Sequence, residues 1–145
     1  MVMFNWVYVS VSKIDKLVEP IELRKIVSTS INRNADLDVT GALLFTGVRF
    51  AQCIEGPEAA VAELRESIMR DKRHTAITTL IHGPIAEPGF RNWTLAFSGP
   101  SPNVSRTLNR SLRELQEGAG SAGTSVRNLL LELATKSAAV GHGLP

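Results

Sequence analysis

With 145 residues, 43% of them apolar, and a formal net charge of +2, the chain can bury one full core and is too apolar to be disordered. The charge is small and dispersed and comes with no zinc-finger spacing or recognition-helix pattern, so nucleic acid is not an expected partner. The apolar stretches around Val7, Leu43 and Leu129 are too short to cross a bilayer, and the opening MVMFNWVYVS lacks the charged start and cleavage site of a secretory signal, so a cytoplasmic location is expected.

Residues 4–10 (FNWVYVS) predict a central strand, rich in aromatic and β-branched side chains. Alternation puts Phe4, Trp6, Tyr8 and Ser10 on one face and Asn5, Val7 and Val9 on the other. A loop is expected over 11–20. Residues 21–34 predict a helix with Pro20 near its start, an apolar stripe of Leu23, Ile26, Val27 and Ile31, and an end at Asn32, Arg33 and Asn34. Residues 39–45 and 49–55 predict strands joined through Thr46 and Gly47. In the second, Phe50, Gln52 and Ile54 point one way, Ala51 and Cys53 the other. Gly56 and Pro57 break it. Residues 58–70 predict a second helix, striped by Val61, Leu64 and Ile68, with a polar exit at Asp71 to His74. A strand is expected over 76–85, interrupted near its end by Gly83 and Pro84, and a short last strand over 93–97. The order β-α-β-β-α-β-β is an α/β (α+β) pattern whose first six elements are ferredoxin-like: two helices over one face of a mostly antiparallel sheet.

Composition shifts after Ser98, which divides the chain into a compact unit over 1–98 and a helical extension over 99–145. Val104, Leu108, Leu112 and Leu115 mark one amphipathic helix. GAGSAG at 118–123 reads as a flexible break. Val126, Leu129, Leu130, Leu133 and Ala134 mark a second helix. The adjacent leucines 129–131 need a cover, either the open face of the sheet or a second copy at a dimer interface. The tail over 138–145 is expected to fray.

Gln52 is the one side-chain amide on the apolar run from Val39 to Gly56. Its two donors and one acceptor need partners if it is buried. Taken singly, the candidate residues read blandly: Tyr8 and Trp93 as packing, Gln52 as a sheet amide, Asn34 as a helix terminator, Arg33 as a surface cation, and Asp71, Arg73 and His74 as a solvated helix end. Trp6 shares the Tyr8 face and reads as packing, with electron donation the rival. Cys53 is the sole cysteine, which excludes an intrachain disulfide and a multi-cysteine metal site, and no base stands beside it to make a nucleophile. His74, His82 and His142 are not at metal-ligand spacing. Neither TGALLFTG nor GAGSAG has the lysine of a phosphate loop.

Together, Tyr8 in WVYVS, Asn34 in INRNADLDVTG, Gln52 in FAQCIEG, DKRH at 71–74 and FRNWTLAF at 90–97 resemble the BLUF domain, the sensors of blue light using FAD. The resemblance covers roughly residues 4–98, and the tail resembles that of short stand-alone members. It implies an oxidised flavin, FAD with FMN as the alternative, held non-covalently between the two helices above the sheet. Tyr8 would donate an electron and a proton, and Gln52 would bridge Tyr8 and the flavin ring. Asn34 would bond the ring's carbonyl edge, with Arg33, Asp71 and His74 near the pocket. Gln52, Trp93 and Leu95 would relay the signal; Leu95 stands where the family usually has methionine. The resemblance implies a non-enzymatic sensor, a homo-oligomer, that signals through an unidentified downstream protein or a change in assembly. Two rivals remain on the residues alone: an interaction module with its pocket filled by side chains, and a small acyl-phosphate hydrolase on the same fold. The hydrolase lacks an anion cradle, since VSVSKIDK has no glycine.

Overall fold

The computed structural model describes residues 2–118 and 120–136. The tail expected to fray, with His142, lies outside the described residues. A five-stranded sheet has the order β4-β1-β3-β2-β5. Its strands are β1 (Met3–Ser12), β2 (Thr40–Phe45), β3 (Arg49–Pro57), β4 (His74–Ile85) and β5 (Ala96–Ser98). The pairs β1–β3, β1–β4 and β2–β3 are antiparallel and β2–β5 is parallel. The fold is ferredoxin-like, with the helices α1 (Glu19–Asp36) and α2 (Glu58–Arg70) on one face and α3 (Pro102–Gln116) and α4 (Ala122–Lys136) on the other.

The period-two pattern of the central strands sorts the core into two layers. Trp6, Tyr8 and Ile54 pack under Val61 and Leu64 of α2, and Leu43, Phe45, Phe50 and Leu95 pack under Leu23, Ile26, Val27 and Ile31 of α1. The alternate residues Val7, Val9, Ala42, Leu44, Ala51 and Cys53 meet Val104, Leu108, Val126, Leu129, Leu130 and Ala134. Both faces of β1 and β3 are therefore dry, which is why these strands are buried almost end to end.

Several boundaries differ from the sequence reading, each for a local reason. Helix α1 starts at Glu19, with Pro20 in its first turn, and runs two residues past Asn34. The Leu37 N–H closes back on the Arg33 carbonyl at 3.1 Å, and Asp38 takes the left-handed turn at φ 56°. Asn34 is thus a buried residue of the last turn rather than the terminator. Strand β4 starts at His74 and runs through Gly83 and Pro84 to Ile85, as an edge strand allows. The last strand is Ala96–Ser98, not 93–97: the Trp93 N–H closes a turn on the Phe90 carbonyl at 2.9 Å. The last two residues of the break expected at 118–123, Ala122 and Gly123, instead open α4. A Cβ on Gly123 would lie 2.7 Å from Ile81 Cγ1, so its hydrogen lets α4 approach β4.

Gly41 is a tighter case. A Cβ there would sit 2.0 Å from the Cys53 carbonyl oxygen, which is backbone and cannot swing away. Gly41→Ala is expected to lower stability by about 1–3 kcal/mol, the usual cost of overpacking. Gly83→Ala, where a Cβ meets nothing within 4 Å, is expected to stay within about 0.5 kcal/mol. Thermal melts of the two variants check the contrast.

Candidate functional site

Tyr8 on β1 and Gln52 on β3 are directly opposed in the antiparallel register. Both face the α1–α2 side, and both are buried. The Tyr8 hydroxyl donates to Gln52 Oε1 at 2.6 Å. That leaves the Gln52 NH2 with no acceptor among the described residues, in a side chain 4% exposed that lines the space between α1 and α2. A buried amide with unspent donors calls for a polar partner.

That space is a cleft of about 120 Å³ that opens to solvent. Ile26, Leu43, Phe50, Leu64 and Ile68 give it apolar walls, and Thr29, Ser30, Arg33, Asn34, Gln52 and Ser67 give it polar points. Asn34, 2% exposed, donates through Nδ2 to the Thr94 carbonyl at 2.8 Å, and no donor among the described residues reaches its Oδ1. Arg33 Nη1 donates to Ser67 Oγ at 2.6 Å, tying α1 to α2 across the cleft. Apolar walls set with amide donors and acceptors suit a heteroaromatic ligand, so the residues present fit a flavin ring.

The polar exit of α2 closes one end. His74 Nε2 is 2.7 Å from the Ile68 carbonyl, which can only accept, so that nitrogen carries a proton. Its Nδ1 is 2.7 Å from Ser10 Oγ. Asp71 is paired with Arg73 at 2.7 Å. The Arg73 hydrogen bonds hold the Asp71 carboxyl below its ordinary value, outweighing partial burial. Behind Tyr8, the Trp6 ring stacks at 4.4 Å and 26°, and its Nε1 donates to Thr79 Oγ1 at 2.9 Å. Trp6 fixes the plane of the phenol by packing.

Burial raises the Tyr8 phenol well above its ordinary value, and the Asp71 charge raises it further. A group whose folded pKa exceeds its unfolded one stabilises the fold fully below the unfolded value, near about 10 for tyrosine, and that contribution is lost as pH climbs toward the folded value. Tyr8 is the sole tyrosine. Tyrosinate absorbance is therefore expected to be absent at about pH 10 in the folded chain and to appear only with unfolding. Ordinary titration in the folded chain would show a wet site.

The structure brings Tyr8, Arg33, Asn34, Gln52, Asp71 and His74 to one cleft. It does not bring Trp93 there. Trp93 precedes β5 and packs, half-buried, with the core that faces α3 and α4, on the side of the sheet away from the cleft. Leu95 lies on the cleft side, fully buried and clustered with Leu43 and Phe50, which themselves line the cleft. Sequence reasoning missed Thr29, Ser30 and Ser67. Their signal was available: 26, 29, 30, 33 and 34 recur at helical spacing, and Ser67 follows Leu64 by three.

The family profile described as sensors of blue-light using FAD, BLUF, matches residues 3–96. Photoactivated adenylate cyclase subunit beta of Euglena longa is 32% identical over 136 residues, covering 83% of this chain and 16% of that protein. The blue light- and temperature-regulated antirepressor BluF of Escherichia coli (strain K12) is 42% identical over 64 residues, or 43% of this chain and 16% of that protein. The chain thus spans about one-sixth of the length of these curated relatives. Among solved structures, the dark state of BlrB, a BLUF protein, superposes with a TM-score of 0.70 at 26% identity, covering 90% of this chain and 96% of that one. The ordered pairing of Tyr8 with Gln52 over an α1–α2 cleft agrees with the match, and the chain belongs to the BLUF family of blue-light sensors.

Proposed function

We propose that this chain is a blue-light photoreceptor that holds oxidised FAD in the α1–α2 cleft and signals by rearranging the hydrogen bonds of Gln52. The observation that carries the reading is the 2.6 Å Tyr8–Gln52 bond with the amide NH2 left for a ligand. When bound and excited by blue light, the flavin supplies a one-electron oxidant beside Tyr8.

Tyr8 then gives up an electron. Its hydroxyl proton cannot stay behind, because a phenol cation in a dry site has no counter-charge. The proton would move along the bond to Gln52 Oε1 as a Gln52 N–H proton passes to the group that took the electron, so the amide gains no net charge and electron and proton leave and return together. The Gln52 amide is thereby free to turn over, presenting its NH2 to Tyr8 and its oxygen to the cleft. Each arrangement keeps one Tyr8–Gln52 hydrogen bond, so the two lie close in energy and the change reverses in the dark. Asn34 and Arg33 hold the ring and close the mouth, while Asp71, Arg73 and His74 seal the far end. FMN would fit the same contacts, since they concern the ring.

We place the relay from Gln52 toward Leu95, through Leu43 and Phe50, with Trp93 on the opposite layer next to the helical extension. Residues 1–98 act as the sensor and 99–145 as the output, delivered to an unidentified downstream protein or through homo-oligomer assembly. The chain itself is proposed to be non-catalytic, since its match to cyclase subunits spans 16% of their length. A cytoplasmic setting goes with the reading: Cys53 is a buried free thiol, at home in a reducing compartment, and no described helix is long and apolar enough to cross a membrane.

The rival readings are not favoured. A side-chain-filled module needs a solid cleft, and this cleft is open. The test is an absorption spectrum of the purified chain, dark and then lit. A small red shift of an oxidised flavin band, reversed in the dark, is expected. A colourless protein, or bleaching to reduced flavin, would end the proposal.

A further inference from the structure

On the layer opposite the cleft, β3 carries a carboxylate that the light reaction does not use. Glu55 is 0% exposed. Its Oε1 accepts the Gly89 N–H at 2.7 Å and the Phe90 N–H at 3.1 Å, and its Oε2 accepts Arg127 Nη2 of α4 at 2.6 Å. A buried charge is tolerated only when it is paired and hydrogen-bonded in this way. The seat is shaped for the guanidinium. A Cβ on Gly89 would lie 2.7 Å from Arg127 Nη2, and the guanidinium carbon sits 5.6 Å from the Phe90 ring centroid.

The segment that Glu55 anchors returns to the cleft within a few residues. The Phe90 carbonyl accepts the Trp93 N–H at 2.9 Å, and the Trp93 carbonyl accepts the Gly41 N–H at 3.1 Å. The next carbonyl, Thr94, accepts Asn34 Nδ2 at 2.8 Å. An unbroken series of bonds thus joins a cleft amide to α4: Asn34, Thr94, the turn at Phe90, Glu55, Arg127. Strand β3 carries both Gln52, on the cleft face, and Glu55, on the other.

We infer that Glu55 is a positioning residue that couples the cleft to α4, with Arg127 as the releasable half of the clamp. This rests on the light-sensing reading, which supplies the change at the cleft. When Asn34 alters its hold on the Thr94 carbonyl, the tightly bonded 89–94 segment shifts as a piece. Glu55 then keeps fewer of its donors, and Arg127 is the one free to leave, because its side chain reaches solvent (21% exposed) while the two N–H groups are fixed in the turn. The two states are α4 docked and α4 loosened from the layer of Val7, Ala42 and Ala51.

The test uses the flavin-loaded full chain, with hydrogen exchange of residues 122–136 followed in the dark and under blue light and the absorption shift recorded on the same samples. In the wild type, α4 is expected to exchange at least about fivefold faster when lit. Arg127→Met is expected to keep the red shift but exchange α4 rapidly in both states, and Arg127→Lys is expected to restore part of the difference. A second readout needs no light: in the dark, Arg127→Met is expected to move the Asn34 side-chain amide resonance and not that of Asn32, on the exposed side of α1. The double variant Glu55→Gln/Arg127→Met leaves no buried charge unpaired and carries the same expectations if the single variant does not fold. Wild-type exchange in either variant, or an unmoved Asn34 resonance, overturns the coupling. A wild type that shows no red shift strikes the light-sensing reading instead, and the dark resonance still decides the coupling.

Discussion

Tyr8→Phe is expected to bind flavin, fold, and show no reversible red shift on illumination. The ring stays, so its stacking on Trp6 at 4.4 Å and its packing under α2 stay with it. Only the hydroxyl goes. Its loss leaves Gln52 Oε1 without the donor 2.6 Å away, in a side chain 4% exposed, which costs about 1–3 kcal/mol of stability. The photochemical effect is larger because it is all-or-none. Phenylalanine has no proton to give and is too hard to oxidise, so the lit-minus-dark signal falls to background. Absorption difference spectra check it, with bound flavin measured in the same sample to separate loss of switching from loss of cofactor. A wild-type shift in this variant would remove the phenol from the mechanism.

Gln52→Leu is expected to lose the shift by the other route. Leucine keeps volume and apolar character on β3, so the strand still pairs with β1 and β2. The Tyr8 hydroxyl loses its acceptor and the cleft loses the amide donor pointed into it. The buried hydroxyl then carries a desolvation cost of about 1–3 kcal/mol, offset in part by the added apolar side chain. The two variants should differ in the dark. Tyr8→Phe keeps the amide at the ring edge, whereas Gln52→Leu removes it and moves the dark band. With no acceptor left for the phenol proton, electron transfer from Tyr8 is expected to slow in Gln52→Leu, so its excited flavin should live longer and no red-shifted state builds up. Time-resolved fluorescence with the steady difference spectrum checks both effects. A persistent shift in Gln52→Leu would show that another group reports on the ring.

Much of this molecule follows from periodicity. The alternation in FNWVYVS and RFAQCIE assigns two faces to each strand, and water exclusion makes the assignment binding, because a slip of one residue would turn every apolar side chain outward. Tyr8 and Gln52 therefore share a face for reasons visible in one dimension. The helix stripes are legible in the same way. What was not legible lies in segments whose shape is set by hydrogen bonds to distant residues. Trp93 reads as a strand residue because Leu95, Ala96 and Phe97 follow it closely. Its backbone instead closes a turn on Phe90 and meets Gly41 from β2, and no local preference encodes a partner some fifty residues away. Asn34 reads as a helix end because asparagine is common there. Its side chain is instead spent on Thr94, 60 residues later.

The chain alone decided that a phenol and a carboxamide stand on neighbouring strands beneath two amphipathic helices, because side-chain direction in a strand is a matter of parity. Only the folded molecule decided how far apart they are, which amide hydrogens remain for a ligand, and that Trp93 belongs to the layer away from the cleft. It also decided that Glu55, one charged residue in an otherwise unremarkable IEG, is fully buried against Arg127. Parity is a local property of the backbone, but distance, burial and unspent donors depend on which remote segments arrive to exclude water.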